Sequence, residues 1–268
     1  MRLKVLIIGG TGYIGKRLVK ASLQEGHDTY VLQRSDIGVH VEKVQMLLSF
    51  KKQGAHLLIG SFNDHCSLVE AVKQVDVVIC AISGVHIRTH QILLQLKLVD
   101  AIKEAGNIKR FLPSEFGMDP ARMADAMEPG RVAFDDKMVV RKAIEDAGIP
   151  FTYVSANCFA GYFIGGLCQP GHILPSKDKR SFTKGSCGTL EKLIGKQLKK
   201  SSFSEQEFLN IVKDKEYAEQ VGWTHYYDIF YKGCLANLEI NGVDVEEASL
   251  LYPDIKYSKV EDYLRHYL

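Results

Sequence analysis

Three stretches of the chain carry residue types that can do chemistry. The first is Gly9-Gly10-Thr11-Gly12-Tyr13-Ile14-Gly15, with glycines at 9, 12 and 15. It follows a short apolar run and precedes a helical pattern. There, glycines let the chain turn tightly and bring backbone N–H groups against a pyrophosphate, and the helix N-terminus adds its positive dipole end. Gly15 permits close packing of helix on strand. Without those flanking elements the same glycines are turn residues only. The second stretch is Leu32-Gln33-Arg34, at the end of the next apolar run. A carboxylate here would bond a ribose 2′-hydroxyl, whereas a guanidinium pairs with a 2′-phosphate. Lys43, a short loop away, adds a second positive charge. These residues predict NADP(H) as cofactor; the alternative for Arg34 is an ordinary surface arginine. The third stretch is Phe134–Lys142, which places Lys137 and Arg141 one helical turn apart. A short-chain reductase would carry tyrosine four residues before the lysine, and here that residue is Ala133. A desolvated lysine has a lowered pKa and serves alone as a general base, which suits removal of a phenolic proton. Arg141 can reach the cofactor from the same face. The competing reading of Lys137 is one cation among many on a solvated face.

The elements that position these residues follow from periodicity. Leu3–Ile8, Thr29–Gln33, Ala55–Gly60, Val75–Ala81, Ile108–Leu112 and Phe151–Ser155 read as short strands. Tyr13–Gln24, Val41–Gln53, Leu68–Lys73, His90–Ala105 and Met138–Ala147 read as helices between them. Such alternation predicts an α/β fold: an NAD(P)-binding Rossmann domain, a doubly wound parallel sheet, over residues 1–155. Ligands in this fold lie beyond the carboxyl ends of the strands, so the exits after Leu112 and Ser155 should converge with Lys137 on the reacting end. Residues 156–268 form a smaller, mostly helical region for substrate. Helices are expected there at Thr189–Lys199, Ser204–Gln220, around His225–Asn237 and at Ser258–Tyr267, with capping-box patterns at Ser204 and Glu207 and at Ser258 and Glu261.

Composition narrows the function. The 268 residues hold 34 Lys+Arg against 32 Asp+Glu, a net charge of +2, with 46% hydrophobic residues. A balanced charge argues against general affinity for nucleic acid or anionic membrane. No apolar run approaches the ~18 residues of a membrane span. The six cysteines are scattered with no C-x-x-C pair, which predicts reduced thiols, no metal site and a cytoplasmic protein.

Longer motifs add a resemblance. GGTGYIG, FLPSEFGMDPARM, EPGRVAFDDKMVVRKAIEDAGIPFTYVSANCFAGYF and GGLCQPGHILPS resemble the pinoresinol–lariciresinol reductases of plants. These are NmrA-type atypical short-chain reductases, a group that includes isoflavone reductases and phenylcoumaran benzylic ether reductases. The resemblance runs through residues 1–178 and resumes at Leu190. It implies NADPH-dependent opening of benzylic ether rings in furofuran lignans, pinoresinol to lariciresinol and on to secoisolariciresinol, by hydride transfer to a quinone methide. The alternatives are a sister isoflavone or phenylcoumaran reductase, or a catalytically impaired NADPH-binding homologue. The resemblance implies Lys137 as general base. It implies cofactor contacts from Gly9, Gly10, Thr11, Gly12, Tyr13, Ile14, Gly15, Arg34, Lys43 and Arg141, and a homodimer. It also places a substrate-contacting histidine on His225, which by itself reads as a core histidine among aromatics, and makes Phe159, Gly165 and Leu167 pocket wall. Between 178 and 190 the chain departs from the pattern: a short bridge stands where the family carries several dozen more residues.

Overall fold

The computed structural model describes residues 2–82, 91–159, 184–197, 204–235 and 245–265. The chain divides into two units, Met1–Asp125 with Arg131–Ser155, and Ala126–Gly130 with Ala156–Leu268.

The first unit is built on five parallel strands: β1 (Lys4–Ile8), β2 (Asp28–Gln33), β3 (His56–Ile59), β4 (Val77–Cys80) and β5 (Arg110–Leu112), in the order β3-β2-β1-β4-β5. Helices α1 (Gly15–Gln24), α2 (Val41–Lys52), α3 (His65–Lys73), α4 (Gln95–Ala105) and α5 (Val132–Asp146) connect and flank them. The strand order reverses at β1, which pairs with β2 on one side and β4 on the other. β1 is apolar at consecutive positions because both of its faces are covered. Val5 and Ile7 join Val19 of α1 and Leu47 and Phe50 of α2; Leu6 and Ile8 join Leu98 and Ile102 of α4 and Val140 and Ile144 of α5. α3 is capped by Asp64, whose carboxylate accepts from the Ser67 backbone N–H at 3.1 Å.

Two expectations need correction in this unit. Phe151–Ser155 does not form a sixth strand; only Phe151 bridges Phe111. β5 is three residues long and ends at Pro113, which has no N–H to extend a ladder. The Phe151 carbonyl accepts instead from the Arg110 side chain at 2.8 Å. And α5 starts at Val132, not Met138, because Ala133 and Phe134 are already buried on the stripe that continues through Val140 and Ile144. Lys137 therefore sits inside the helix, one turn before Arg141.

The regular elements among the described residues of the second unit are all helices: α6 (Lys184–Ile194), α7 (Glu205–Lys213), α8 (Tyr217–Tyr226) with a π-helical turn at Tyr227–Tyr231, α9 (Ala248–Leu251) and α10 (Val260–Arg265). α6 packs against α10. Ser204 and Glu207 complete the expected capping box on α7. The single helix expected over Ser204–Gln220 is two, because Glu216 is extended and starts α8. α6 begins five residues earlier than the expected Thr189 and ends before Gly195, whose φ is +64°. Of the divergent bridge, residues 178–183 lie outside the described residues and 184–189 are the first turns of α6.

Candidate active site

The glycine turn leaves β1 and enters α1. Gly9 has φ +82°, and a Cβ there would stand 2.5 Å from the Ala81 carbonyl oxygen. A Cβ on Gly15 would stand 2.0 Å from the Gly9 carbonyl oxygen. Both positions demand the absence of a side chain. The Gly12 N–H donates to the Gly9 carbonyl at 2.9 Å and closes the turn. No side chain caps the first turn of α1 and no acidic residue lies in it. This is a cradle that a Cβ would fill, at a helix N-terminus with no side-chain cap, and it fits a dinucleotide pyrophosphate. Tyr13 is 41% exposed and lies under the Arg17 guanidinium, 4.2 Å from its ring centroid.

Arg34 follows the last residue of β2. Its guanidinium is exposed and 3.4 Å from the Asp36 carboxylate. An exposed pair of this kind is weak, typically ~0–1 kcal/mol, and leaves the guanidinium available to a more highly charged phosphate. Lys43 lies in the first turn of α2 and is half-buried.

A run of contacts carries the site from this turn across the strand exits. Gly9 lies against Ala81; the Ser114 hydroxyl donates to the Ile82 carbonyl at 2.6 Å; the Ser114 N–H donates to the buried Gln95 side chain at 2.7 Å. The next residue, Glu115, accepts from the Lys137 ammonium on its main-chain oxygen at 3.0 Å. Burial is the largest influence on Lys137 and lowers its pKa; Glu115 and Asp119 oppose this, and Arg141 adds to it. Arg141 forms a fork on the buried Glu115 carboxylate, Nε to Oε1 at 2.7 Å and Nη2 to Oε2, and reaches Asp119 through Nη1 at 3.0 Å. The Arg141 guanidinium, expected to contact the cofactor, is thus committed to two carboxylates.

In the second unit His225 is half-buried on α8, and its Nε2 is 2.9 Å from the Gly130 carbonyl. The buried Asp228 holds the same segment by accepting from the Met127 N–H at 3.1 Å, and it pairs with Lys232 at 3.2 Å. Phe159 is partly buried in irregular chain. Gly165 and Leu167 lie outside the described residues. Among the described residues no group of three His, Cys, Asp or Glu could hold a metal ion, and Cys66 and Cys80 are free thiols.

The model of the NmrA-like family matches residues 1–185. A bifunctional pinoresinol-lariciresinol reductase of Linum corymbulosum is 61% identical over 99% of this chain and 98% of its own length, and one of Linum album is 60% identical over 99% and 94%. The chain belongs to the NmrA-like family, among the pinoresinol-lariciresinol reductases. A solved structure, AtPrR2 with NADP+ and (+)pinoresinol, is 48% identical and superposes with a TM-score of 0.91 over 100% of this chain and 99% of that one. The alignment to the Linum corymbulosum reductase spans 309 positions against the 268 residues here, so at least 41 positions (309 less 268) face gaps in this chain. That agrees with a family segment being absent.

Against the sequence reading, the first unit brings the glycine turn, the β4 and β5 exits and Lys137 into one run of contacts. His225 and Phe159 belong to the second unit. Glu115 and Asp119 were legible only as part of the motif FLPSEFGMDP. Nothing in their spacing from Arg141 signals a buried ion pair formed across the β5 exit.

Proposed function

We propose that the chain is an NADPH-dependent reductase that opens the benzylic ether rings of furofuran lignans, pinoresinol to lariciresinol and then to secoisolariciresinol. The observation that carries this reading is Lys137: a half-buried amine with a lowered pKa, aimed by one hydrogen bond at the exit of β5, in a chain 61% identical to a reductase of that name. The same reading makes residues 1–155 the cofactor domain and 156–268 the substrate region.

The Gly9–Gly15 turn would hold the pyrophosphate, and Arg34 and Lys43 the 2′-phosphate. Bound there, NADPH supplies the hydride that is added to the benzylic carbon. The remaining steps fall to the protein. A neutral Lys137 amine keeps two N–H bonds and one lone pair. Donation to the Glu115 carbonyl orients it, and the lone pair accepts the proton of the substrate phenol. The resulting phenolate expels the para-benzylic ether oxygen; the C–O bond breaks and a quinone methide forms. The departing alkoxide takes up a proton, and hydride addition restores the aromatic ring as a phenolate, which is protonated in turn. His225 and Phe159 bear on the substrate, Phe159 offering an aromatic face to a bis-aryl ligand. The enzyme acts as a cytoplasmic homodimer; among the described residues no helix is long and apolar enough to cross a membrane.

The test is NADPH consumption by the purified chain with racemic pinoresinol, followed by product identification, with an isoflavone and a phenylcoumaran in parallel. Turnover confined to the lignan is expected. Turnover of another class alone would move the chain to a sister activity. A second reading is favoured by the gap of at least 41 aligned positions: a chain that binds NADPH without reducing a lignan. Saturable NADPH binding with no oxidation in the presence of pinoresinol would establish it.

The cradle itself is tested at Gly15. A methyl group there would overlap the Gly9 carbonyl. Gly15→Ala is expected to weaken NADPH binding by at least roughly tenfold, or about 1.4 kcal/mol, in a fluorescence titration. Unchanged affinity would show that the turn tolerates the shift.

A further inference from the structure

The loop after β5 contains an arrangement that the reaction does not by itself require. Glu115 is buried, its side chain 4% exposed. Arg141 is 12% exposed, and its fork on Glu115 is completed by Nη1 on Asp119 at 3.0 Å. The Tyr153 ring stacks on the guanidinium with its centroid 4.2 Å away, and its hydroxyl donates to Glu145 at 3.1 Å. Ser114 is tied on two sides, by the hydrogen bonds to Gln95 and Ile82. Phe116 follows with φ +40°, a strained conformation for a residue with a side chain. Ser155 donates to the Gly117 carbonyl at 3.0 Å and secures the far side of the loop.

A buried ion pair is a poor general stabiliser, because desolvation offsets most of the attraction. A bidentate arginine is, however, a strict geometric restraint. Here the restrained residue is the one whose main-chain oxygen receives the Lys137 amine.

We infer that Glu115 is a positioning residue for Lys137: its carboxylate, forked by Arg141, fixes the main-chain oxygen on which the amine is aimed. Asp119 secures the other edge of Arg141, and the strained Phe116 backbone is held by the same clamp. The inference rests on the proposed function insofar as Lys137 is the base. Among the described residues, the charges that act on Lys137 are Glu115 and Asp119 from the loop and Arg141 from α5. The turn Gln91–Leu94, packed against α5, has no ionisable side chain, α4 offers α5 the apolar Leu98 and Ile102, and Arg122 is 3.7 Å from Asp119.

The two partners of the fork act on the amine with opposite sign: Glu115 favours its charged form and Arg141 its neutral form. The midpoints therefore report whether both charges of the fork stand beside the amine, and kcat in Arg141→Lys, which keeps the charge and loses the fork, reports the positioning. The full chain, labelled with ¹⁵N-lysine, is titrated by NMR, the Lys137 resonance being assigned by its loss in Lys137→Ala. Glu115→Gln is expected to move the Lys137 midpoint to lower pH, and Arg141→Met to move it to higher pH. Arg141→Lys keeps the charge and loses the fork; its midpoint stays near the native one. With pinoresinol, Glu115→Gln and Arg141→Lys should each lower kcat by roughly tenfold, about 1.4 kcal/mol, with NADPH affinity unchanged. Midpoints that do not move, or that move together in Glu115→Gln and Arg141→Met, overturn the inference, as does native kcat in Arg141→Lys. If Glu115→Gln fails to fold, Arg141→Met and Arg141→Lys decide the question alone. If the native chain does not turn over pinoresinol but the midpoints separate as stated, the proposed function falls and the clamp on Lys137 stands.

Discussion

Lys137→Ala is expected to lower kcat by about 10²–10⁴-fold, the range for loss of a positioned general base, while NADPH affinity stays within about twofold. The residue contacts the β5 exit, not the glycine turn, so cofactor binding should not notice its loss. Lys137→Arg should be as inactive, since a guanidinium does not release its proton near neutral pH. The pH profile gives a second check. A base works deprotonated, so the rate rises as pH passes upward through the pKa of Lys137. Burial depresses that pKa, so the rising limb must lie below the range of an exposed lysine. Stopped-flow measurement of hydride transfer against pH locates it. A limb at the pH of an ordinary lysine, or a fully active alanine variant, would remove Lys137 from the mechanism.

The second large effect is on cofactor choice. Arg34→Ala is expected to weaken NADPH by about 10–100-fold, some 1.4–2.8 kcal/mol, and to leave NADH nearly unaffected. The reason is geometric. Arg34 stands just beyond β2, beside the β1 exit, and is 59% exposed. Its partner Asp36 is also on the surface, so that pair is screened by water and readily exchanged for a phosphate. Lys43 remains in the variant, which is why discrimination should shrink rather than reverse. Comparing kcat/KM for the two cofactors decides it. Equal losses with both would mean that Arg34 shapes the loop and does not read the phosphate.

The sheet was legible in the residues because the strands of the first unit are built on short apolar runs bounded by turns, and four of its five helices, all but α3, stop within two residues of a glycine. Gly26, Gly54, Gly106 and Gly148 all have positive φ at or just beyond a helix end. The glycine turn was legible for the same local reason. The start of α5 was missed because Asp135, Asp136 and Lys137 interrupt the apolar run after Phe134, and only tertiary structure shows that Ala133 and Phe134 are already buried. The sixth strand was over-read at Phe151–Ser155, where the residues have strand character but the neighbour, β5, is too short to pair with them. The Glu115–Arg141 fork spans 26 positions along the chain. No periodicity encodes a contact of that kind, so the sequence shows the lysine but not what aims it.

The position of β1 has a consequence for how the chain is made. It leaves the ribosome ahead of both strands that will flank it, and the second of these, Val77–Cys80, comes some seventy residues later. Parallel neighbours cannot be supplied by a hairpin. The apolar run Val5–Ile8 therefore waits, unpaired on one edge, while much of the sheet is still being synthesised, and association with another nascent chain competes with folding throughout that interval.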